Sequence, residues 1–423
     1  LLEFLRHKFV ENVVSLPSLP RFLFEAMKKI TTIGIIGGGQ LGRMTCFYAH
    51  MMGFRSVVFS DQKNSPASFV TNQIINADYS DKMALKKFSK MVDIATFEFE
   101  NIPFETADYL ASQVEVCPKP QILKITQNRI LEKNFLNSIG IKATEYAEIP
   151  SREVLQKNLK KFGKAILKTA MMGYDGKGQF VLKNAVDADR VWSSLIDGPR
   201  NKCGVTSNKC GVTSNKCGVT SNKCGVTSAS ITPKPVTPHL LRGPKLILEK
   251  FCPFDSEISV IVARSKNGEI AAYEPLTNIH KNGILDQSFY PAQIPKGLRI
   301  KAQSLAKKIA KEINLVGILA VEFFVVGSEL LVNELAPRPH NSGHFSMDGA
   351  VTSQFEQLIR AITALPLGST KFHSCGFMKN LIGDEVKNLD KFYKNPRAKI
   401  HLYGKEKIVA GRKMGHVNVL NFL

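Results

Sequence analysis

The segment Val321-Glu-Phe-Phe-Val-Val-Gly-Ser-Glu-Leu-Leu-Val-Asn-Glu334 reads as two apolar strands folded about Gly327-Ser328-Glu329. Its arms are rich in Val, Phe and Leu, and the Gly-Ser between them is turn chemistry. A three-residue turn sets Glu322 directly across from Glu334. Two like charges opposed on an apolar ladder cost stability unless a cation sits between them. Hard carboxylate oxygens in a pair suit Mg2+, which keeps its remaining positions for water and nucleotide phosphate. A two-residue turn instead sets Glu322 against Asn333 and leaves the glutamate as an ordinary solvated side chain.

Upstream of the hairpin the pattern is that of an α/β protein. Ile33, Ile35 and Ile36 lead into Gly37-Gly-Gly-Gln-Leu-Gly42, a helical stretch to Met52 and a second strand, Ser56 to Phe59. Gly37, Gly39 and Gly42 between strand and helix offer backbone N–H groups to a phosphate. Asp61 follows 19 residues after Gly42, where a dinucleotide fold puts its ribose-binding carboxylate, so a nicotinamide-dependent dehydrogenase is one candidate. A second phosphate-binding signal is independent of the first. Met172-Gly-Tyr-Asp-Gly-Lys-Gly178 lies between strands expected at Ala165 to Lys168 and Gln179 to Leu182, with Lys168 and Lys177 as point charges beside a glycine-rich tip. Further strands are expected at Ile94 to Phe97, Leu246 to Lys250, Ser259 to Ala263 and Lys399 to Leu402. Helices are expected at Ile300 to Ile313 and Gln354 to Ala364.

At 423 residues with 44% hydrophobic content the chain is too long for one ordinary core. It has no apolar run long enough to span a membrane as a helix. The formal charge is +21. Seven basic residues and no acidic one fall between Arg200 and Arg242, and most of the remaining charge is dispersed without aromatic interleaving. Nucleic acid is therefore not the expected partner; a small phosphorylated ligand or merely a basic proteome accounts for the dispersed charge as well.

The heptad NKCGVTS occurs four times in tandem from Asn201 to Ser228, followed by a Pro-rich stretch to Pro244. With Val as its only aliphatic, it favours a solvated insert with no core of its own. Cys203, Cys210, Cys217 and Cys224 lack the paired spacing of compact zinc sites. Cys46, Cys117, Cys252 and Cys375 are scattered in apolar contexts, as reduced cytoplasmic thiols are. Met27 precedes the first convincing strand, so residues 1–26 are expected to be dispensable. Excising the repeat and rejoining Arg200 to Ala229 is expected to leave the melting temperature within a few degrees, because loop closure costs only ~0.6 kcal/mol per doubling of length. Turnover should be equal or faster. A large fall in melting temperature would mean that the repeat is packed.

These residues resemble the ATP-grasp ligases, and within them the family of 5-(carboxyamino)imidazole ribonucleotide synthases. The resemblance rests on Gly37-Gly-Gly-Gln-Leu-Gly-Arg-Met44, Thr96-Phe-Glu-Phe-Glu-Asn101, Gly173-Tyr-Asp-Gly-Lys-Gly-Gln179 and His280-Lys-Asn-Gly-Ile-Leu285. Two further motifs, Asn333-Glu-Leu-Ala-Pro-Arg-Pro-His-Asn-Ser-Gly-His344 and Gly411-Arg-Lys-Met-Gly-His416, are specific to the synthases. It implies an α/β chain with the ATP-grasp fold. Residues 27–125 would form a Rossmann-like pre-ATP-grasp domain, 126–198 a linker helix and small lid domain, and 199–244 the repeat insert. Residues 245–367 would form the α+β ATP-binding domain and 368–423 a C-terminal subdomain.

Carried over by position, the resemblance implies that Arg129, Lys168 and the loop Gly173, Tyr174, Asp175, Gly176, Lys177 and Gly178 hold ATP phosphates. Glu249, Lys250, Phe251 and Cys252 would line the adenine and Glu257 the ribose, with His280 and Asn333 completing the site. Glu322 and Glu334 would bind Mg2+, and Arg338 bicarbonate. Gln40, Leu41, Glu98, Asn101, Arg412 and Lys413 would hold aminoimidazole ribonucleotide. A cytoplasmic homodimer is implied. Met172 stands where the family has a glycine, where a Cβ would stiffen the lid or clash if the position needs φ > 0, and an ATP-binding protein inactivated by the repeat insert is the alternative.

Overall fold

The apolar run Thr32–Ile36 (β1) is buried almost throughout, as a central parallel strand requires. Arg55–Ser60 (β2), Gln73–Asn76 (β3) and Ile94–Phe97 (β4) join it in a parallel sheet of order β3-β2-β1-β4. Gly34 lets the helix Lys82–Ser89 close directly on β1, since a Cβ there would lie 2.6 Å from the Phe88 ring. Asp81 caps that helix by accepting from the Met83 and Ala84 amides. The computed structural model describes residues 30–171, 178–197 and 245–422, which fall into two compact units, Glu145–Cys252 and the remainder. The expected N-terminal extension, the lid residues Gly173 to Lys177 and the heptad repeat lie outside the described residues.

In the smaller unit, Tyr146–Ile149 (β5), Ala165–Thr169 (β6), Gln179–Leu182 (β7) and Leu246–Lys250 (β8) form an antiparallel sheet of order β5-β8-β6-β7. The helices Arg152–Phe162 and Ala185–Trp192 start at Ser151 and Asn184, whose side chains accept from the Val154 and Asp187 amides. They bury Leu155, Leu159, Ala188 and Val191 against Leu167, Leu182, Leu246 and Leu248. Burial of such a set at about 25 cal/mol per Å2 stabilises a sheet this small.

The larger unit also holds a nine-stranded sheet. Its strands are Ser256–Arg264 (β9), Ile270–Ala272 (β10), Leu276–Lys281 (β11), Ile284–Tyr290 (β12), Gly317–Val326 (β13), Glu329–Ala336 (β14), Ser374–Ile382 (β15), Ala398–Leu402 (β16) and Lys413–Phe422 (β17). The order is β14-β13-β9-β11-β12-β15-β17-β16, with β10 beside β9. Alternate residues of β13 enter two cores. Leu319, Val321 and Phe323 pack with Ala302, Ala306 and Ile309 of the helix Lys296–Glu312. Ile318 and Ala320 pack with Leu358, Ile359 and Ile362 of the helix Gln354–Ile362. Glu322 is next on the second face, where the apolar cover ends. Residues 374–422 extend this sheet, since β15 pairs with both β12 and β17.

Candidate active site

The turn of the β13–β14 hairpin is two residues, Gly327 and Ser328, and Val326 pairs with Glu329. Gly327 takes φ +56°, which suits a tight hairpin turn and favours glycine. This differs from the three-residue turn expected above, yet Glu322 still faces Glu334. A bulge makes up the difference: Phe323 pairs with Val332, Glu322 pairs with Glu334, and Asn333 is the extra residue. Burial and the opposed Glu334 together push the Glu322 carboxyl well above its usual range. His340 Nε2 lies 3.6 Å from Glu322 Oε1.

A third carboxylate, Glu132, stands behind this pair and was not expected to take part. It is 2% exposed, accepts the Leu335 amide at 2.9 Å, and has its pKa raised by burial and then by Glu334. Its helix, Arg129–Ser138, is started by Asn128, whose side chain accepts from the Ile130 and Leu131 amides. That cap puts Arg129 at the first helical position. On the other side of β13, Glu257 of β9 forms an ion pair with His280 of β11. Burial disfavours the imidazolium, but Glu257 and Glu322 hold the His280 pKa above its ordinary value.

After β4 the chain delivers Glu98 to the glycine-rich turn. Its oxygens accept the Gly39 amide at 2.5 Å and the Gly42 amide at 2.9 Å. A β-carbon at Gly39 would lie 2.5 Å from Glu98 Oε1, so this approach needs glycine. The backbone donors expected to bind a phosphate are thus taken by the protein's own carboxylate, and the dehydrogenase reading of Gly37 to Asp61 loses its pyrophosphate site. Gln127 holds the next turn by donating to the Glu100 and Ile102 carbonyls at 2.6 Å. Glu100 forms an ion pair with Arg338, and despite the cost of burial that guanidinium keeps the Glu100 carboxyl below its usual range. Lys405 donates to the Lys413 carbonyl at 2.6 Å, and the Lys413 charge acts on Glu100, His280, Glu322 and His340.

The larger unit therefore brings Glu98, Glu257, His280, Glu322, Glu334, Arg338 and Lys413 into one electrostatically connected set. The remaining expected residues are arranged otherwise. Leu41 is core, packed with Met44, Phe355 and Tyr403, so only its backbone is available to a ligand. Gln40 opens the helix Gln40–Met51, and Asn101 is half-buried beside Glu100. Arg412 is half-buried and donates to the Lys407 carbonyl at 3.3 Å. Sequence reasoning passed over Glu100 and His340, which lie inside quoted motifs, and Lys405 and Glu132, which carry no local signal.

In the smaller unit Lys168 donates to Glu249 at 2.8 Å, both side chains nearly buried. Two residues expected to take different parts of a nucleotide thus neutralise one another. Lys250 reaches Glu145 at 3.2 Å, the Lys164 ammonium lies 3.4 Å from the centre of the Phe251 ring, and burial raises the Cys252 thiol. Gly178 has φ +71°, and its carbonyl accepts the Thr169 amide at 3.3 Å.

Residues 30–127 match the ribonucleotide synthetase preATP-grasp domain, and residues 134–205 with 226–355 match the ATP-grasp domain. Residues 376–421 match the phosphoribosylaminoimidazole carboxylase C-terminal domain. The N5-carboxyaminoimidazole ribonucleotide synthase of Bacillus subtilis (strain 168) is 40% identical over 394 residues, which is 92% of this chain and 91% of that protein. The chain belongs to the N5-carboxyaminoimidazole ribonucleotide synthase family. An ADP complex of such a synthetase has 38% identity, a TM-score of 0.78 and 92% coverage of each chain. The Aspergillus clavatus synthase in complex with ADP and 5-aminoimidazole ribonucleotide has 26% identity and a TM-score of 0.77, with 93% of this chain and 94% of that one covered.

The ATP-grasp match breaks at residues 206–225, inside the heptad repeat, so the repeat is an insertion relative to that family domain. Among the described residues no group of three or more His, Cys, Asp or Glu side chains could hold a metal ion. The pair Glu322 and Glu334 fits a cation that takes two protein carboxylates and completes its shell with water and phosphate, as Mg2+ does in the nucleotide sites of many enzymes. No helix among the described residues is long and apolar enough to cross a membrane.

Proposed function

We propose that this synthase-family protein catalyses the reaction of ATP, bicarbonate and 5-aminoimidazole ribonucleotide to give N5-carboxyaminoimidazole ribonucleotide, ADP and phosphate. The observation that carries this reading is the Glu322–Glu334 opposition in the same unit as the Arg338, Glu98 and Lys413 set. A nucleotide-type carboxylate pair and an arginine-centred anion site thus share one connected field.

Bicarbonate is a poor electrophile, so its oxygen takes the γ-phosphoryl group first and forms carboxyphosphate, which the exocyclic amine of the ribonucleotide then consumes. Lys168, Lys177, Arg129 and the loop Gly173 to Gly178 are assigned to the ATP phosphates. Glu249, Lys250, Phe251 and Cys252 take the adenine, Glu257 with His280 the ribose side, and Asn333 the nucleotide beside Glu334. Mg2+, held by Glu322 and Glu334, would supply charge neutralisation for the transferring phosphoryl group. Arg338 orients bicarbonate as a planar, two-pronged donor, a role suited to guanidinium. Glu98 anchors the Gly39 turn and thereby the substrate side, where Gln40, the Leu41 backbone, Asn101, Arg412 and Lys413 hold the ribonucleotide. Water must be kept out while carboxyphosphate exists, because it hydrolyses readily. A homodimer in the cytoplasm completes the reading.

The deciding assay is ADP release with and without aminoimidazole ribonucleotide and bicarbonate. Release that requires both substrates supports the reading; ATP binding without turnover would favour a chain silenced by its insert. Arg412→Ala is expected to raise the ribonucleotide KM about tenfold or more while leaving the ATP KM nearly unchanged, since a charge-assisted phosphate contact contributes ~1.5 to 3 kcal/mol. Equal rises in both KM values would make Arg412 structural.

A further inference from the structure

We infer that Glu132 is a positioning residue for the cation pair, acting by clamping the β-bulge that sets Glu334 across from Glu322. This inference rests on the reading of Glu322 and Glu334 as the divalent-cation pair. β14 is the edge strand of its sheet, so its outward amides need acceptors from elsewhere. Val332 donates to the Lys142 carbonyl at 2.9 Å, where Ala143 forms a parallel bridge to Val332. The next outward donor with a stated partner is Leu335, which donates to Glu132 Oε2, also at 2.9 Å.

In a regular strand, outward donors recur at every second residue. Val332 and Leu335 are an odd number of residues apart, and that change of parity is what the extra residue Asn333 produces. Without the bulge, the two-residue turn would carry its register on, and Glu322 would face Asn333. Glu132 therefore accepts a donor that is turned outward only in the bulged register. Its side chain is 2% exposed, so no solvent stands ready to replace it. The neighbouring Lys133, fully buried, donates to Thr144 at 2.7 Å and fixes the same end of the helix Arg129–Ser138. The clamp is thus anchored on its own side, and Glu132 contacts the Leu335 backbone while lying close enough to Glu334 for the two charges to act on one another.

The experiment compares Glu132→Ala and Glu132→Gln with the full-length protein, titrating Mg2+ against ADP release and measuring the ribonucleotide KM and thermal melting for each. Glu132→Ala, which leaves the Leu335 amide without its acceptor, is expected to raise the half-saturating Mg2+ concentration about tenfold or more. The ribonucleotide KM should stay within about twofold. Glu132→Gln keeps a carbonyl oxygen for the Leu335 amide and is expected to recover most of the Mg2+ response. The inference is overturned if folded Glu132→Ala keeps the wild-type Mg2+ response, or if Glu132→Gln is as impaired as Glu132→Ala. Should Glu132→Ala fail to fold, the Glu132→Gln titration decides alone. A parallel Glu334→Gln titration separates the two levels: full turnover there removes the cation reading itself, whatever Glu132 does.

Discussion

Glu334→Gln is expected to lower ADP formation by roughly 100-fold or more, because a bound metal supplies several kcal/mol of charge stabilisation and each 1.36 kcal/mol is tenfold in rate. The fold should not suffer. Glu334 faces Glu322 directly, and its charge helps to raise the Glu322 pKa, so neutralising it relieves repulsion in the metal-free protein. Opposed pairs on a ladder are worth ~0.2 to 1 kcal/mol, which predicts a melting temperature equal to or slightly above wild type without Mg2+. With saturating Mg2+ and nucleotide the order should reverse, since only wild type gains the full linkage stabilisation of the bound complex. Equal turnover of the two proteins at saturating Mg2+ would remove the metal assignment.

The expected positions of β1, β4, β6, β7 and β8 fall within a residue of those observed, because each is a short apolar run with buried neighbours on the sheet. β12, β15 and β17 are harder to read for the opposite reason. Their inward positions include Asp286, Ser288, Asn380, His416 and Asn418, all nearly or fully buried. Several of those polar groups find their partners in other segments: Asn380 bonds to Asn341 and Asn418 Nδ2 donates to Asp348 at 2.6 Å, while Ser288 bonds to Asn278 of the adjacent strand at 2.8 Å. Alternation of apolar and polar residues is therefore lost, although the strands are regular.

The candidate site shows the same division between local and distant causes. Glu322 and Glu334 stand out in the sequence because carboxylates interrupt an apolar hairpin. Their opposition cannot be derived from the turn alone, since the turn has two residues and the bulge supplies the missing shift. The acceptor at that bulge, Glu132, is 203 residues from Leu335. The glycine-rich turn is similar: its geometry invites an anion, but which anion depends on Glu98, 59 residues beyond Gly39. Motif chemistry narrows the residue types at a site, while tertiary contacts fix which partners meet.

Arg338→Ala is expected to abolish carboxylation and also to destabilise the fold, and the two losses can be separated. Arg338 and Glu100 are 13% and 18% exposed and form an ion pair, so deleting the guanidinium leaves a largely desolvated carboxylate behind. Removing one partner of a buried pair costs ~3 to 5 kcal/mol; with some solvent access here, roughly 2 to 4 kcal/mol is expected. Neutralising the stranded partner offsets much of that cost, because the penalty lies in the uncompensated charge. The double variant Arg338→Ala/Glu100→Gln should therefore regain most of the lost stability in chemical denaturation. It should not regain carboxylation, since an amide at position 100 supplies no cationic fork for bicarbonate. Stability and product formation are measured on the same samples, with ADP release followed separately from N5-carboxyaminoimidazole ribonucleotide. If the double variant recovers turnover along with stability, the Arg338 guanidinium serves only to balance Glu100, and bicarbonate must be held by another group.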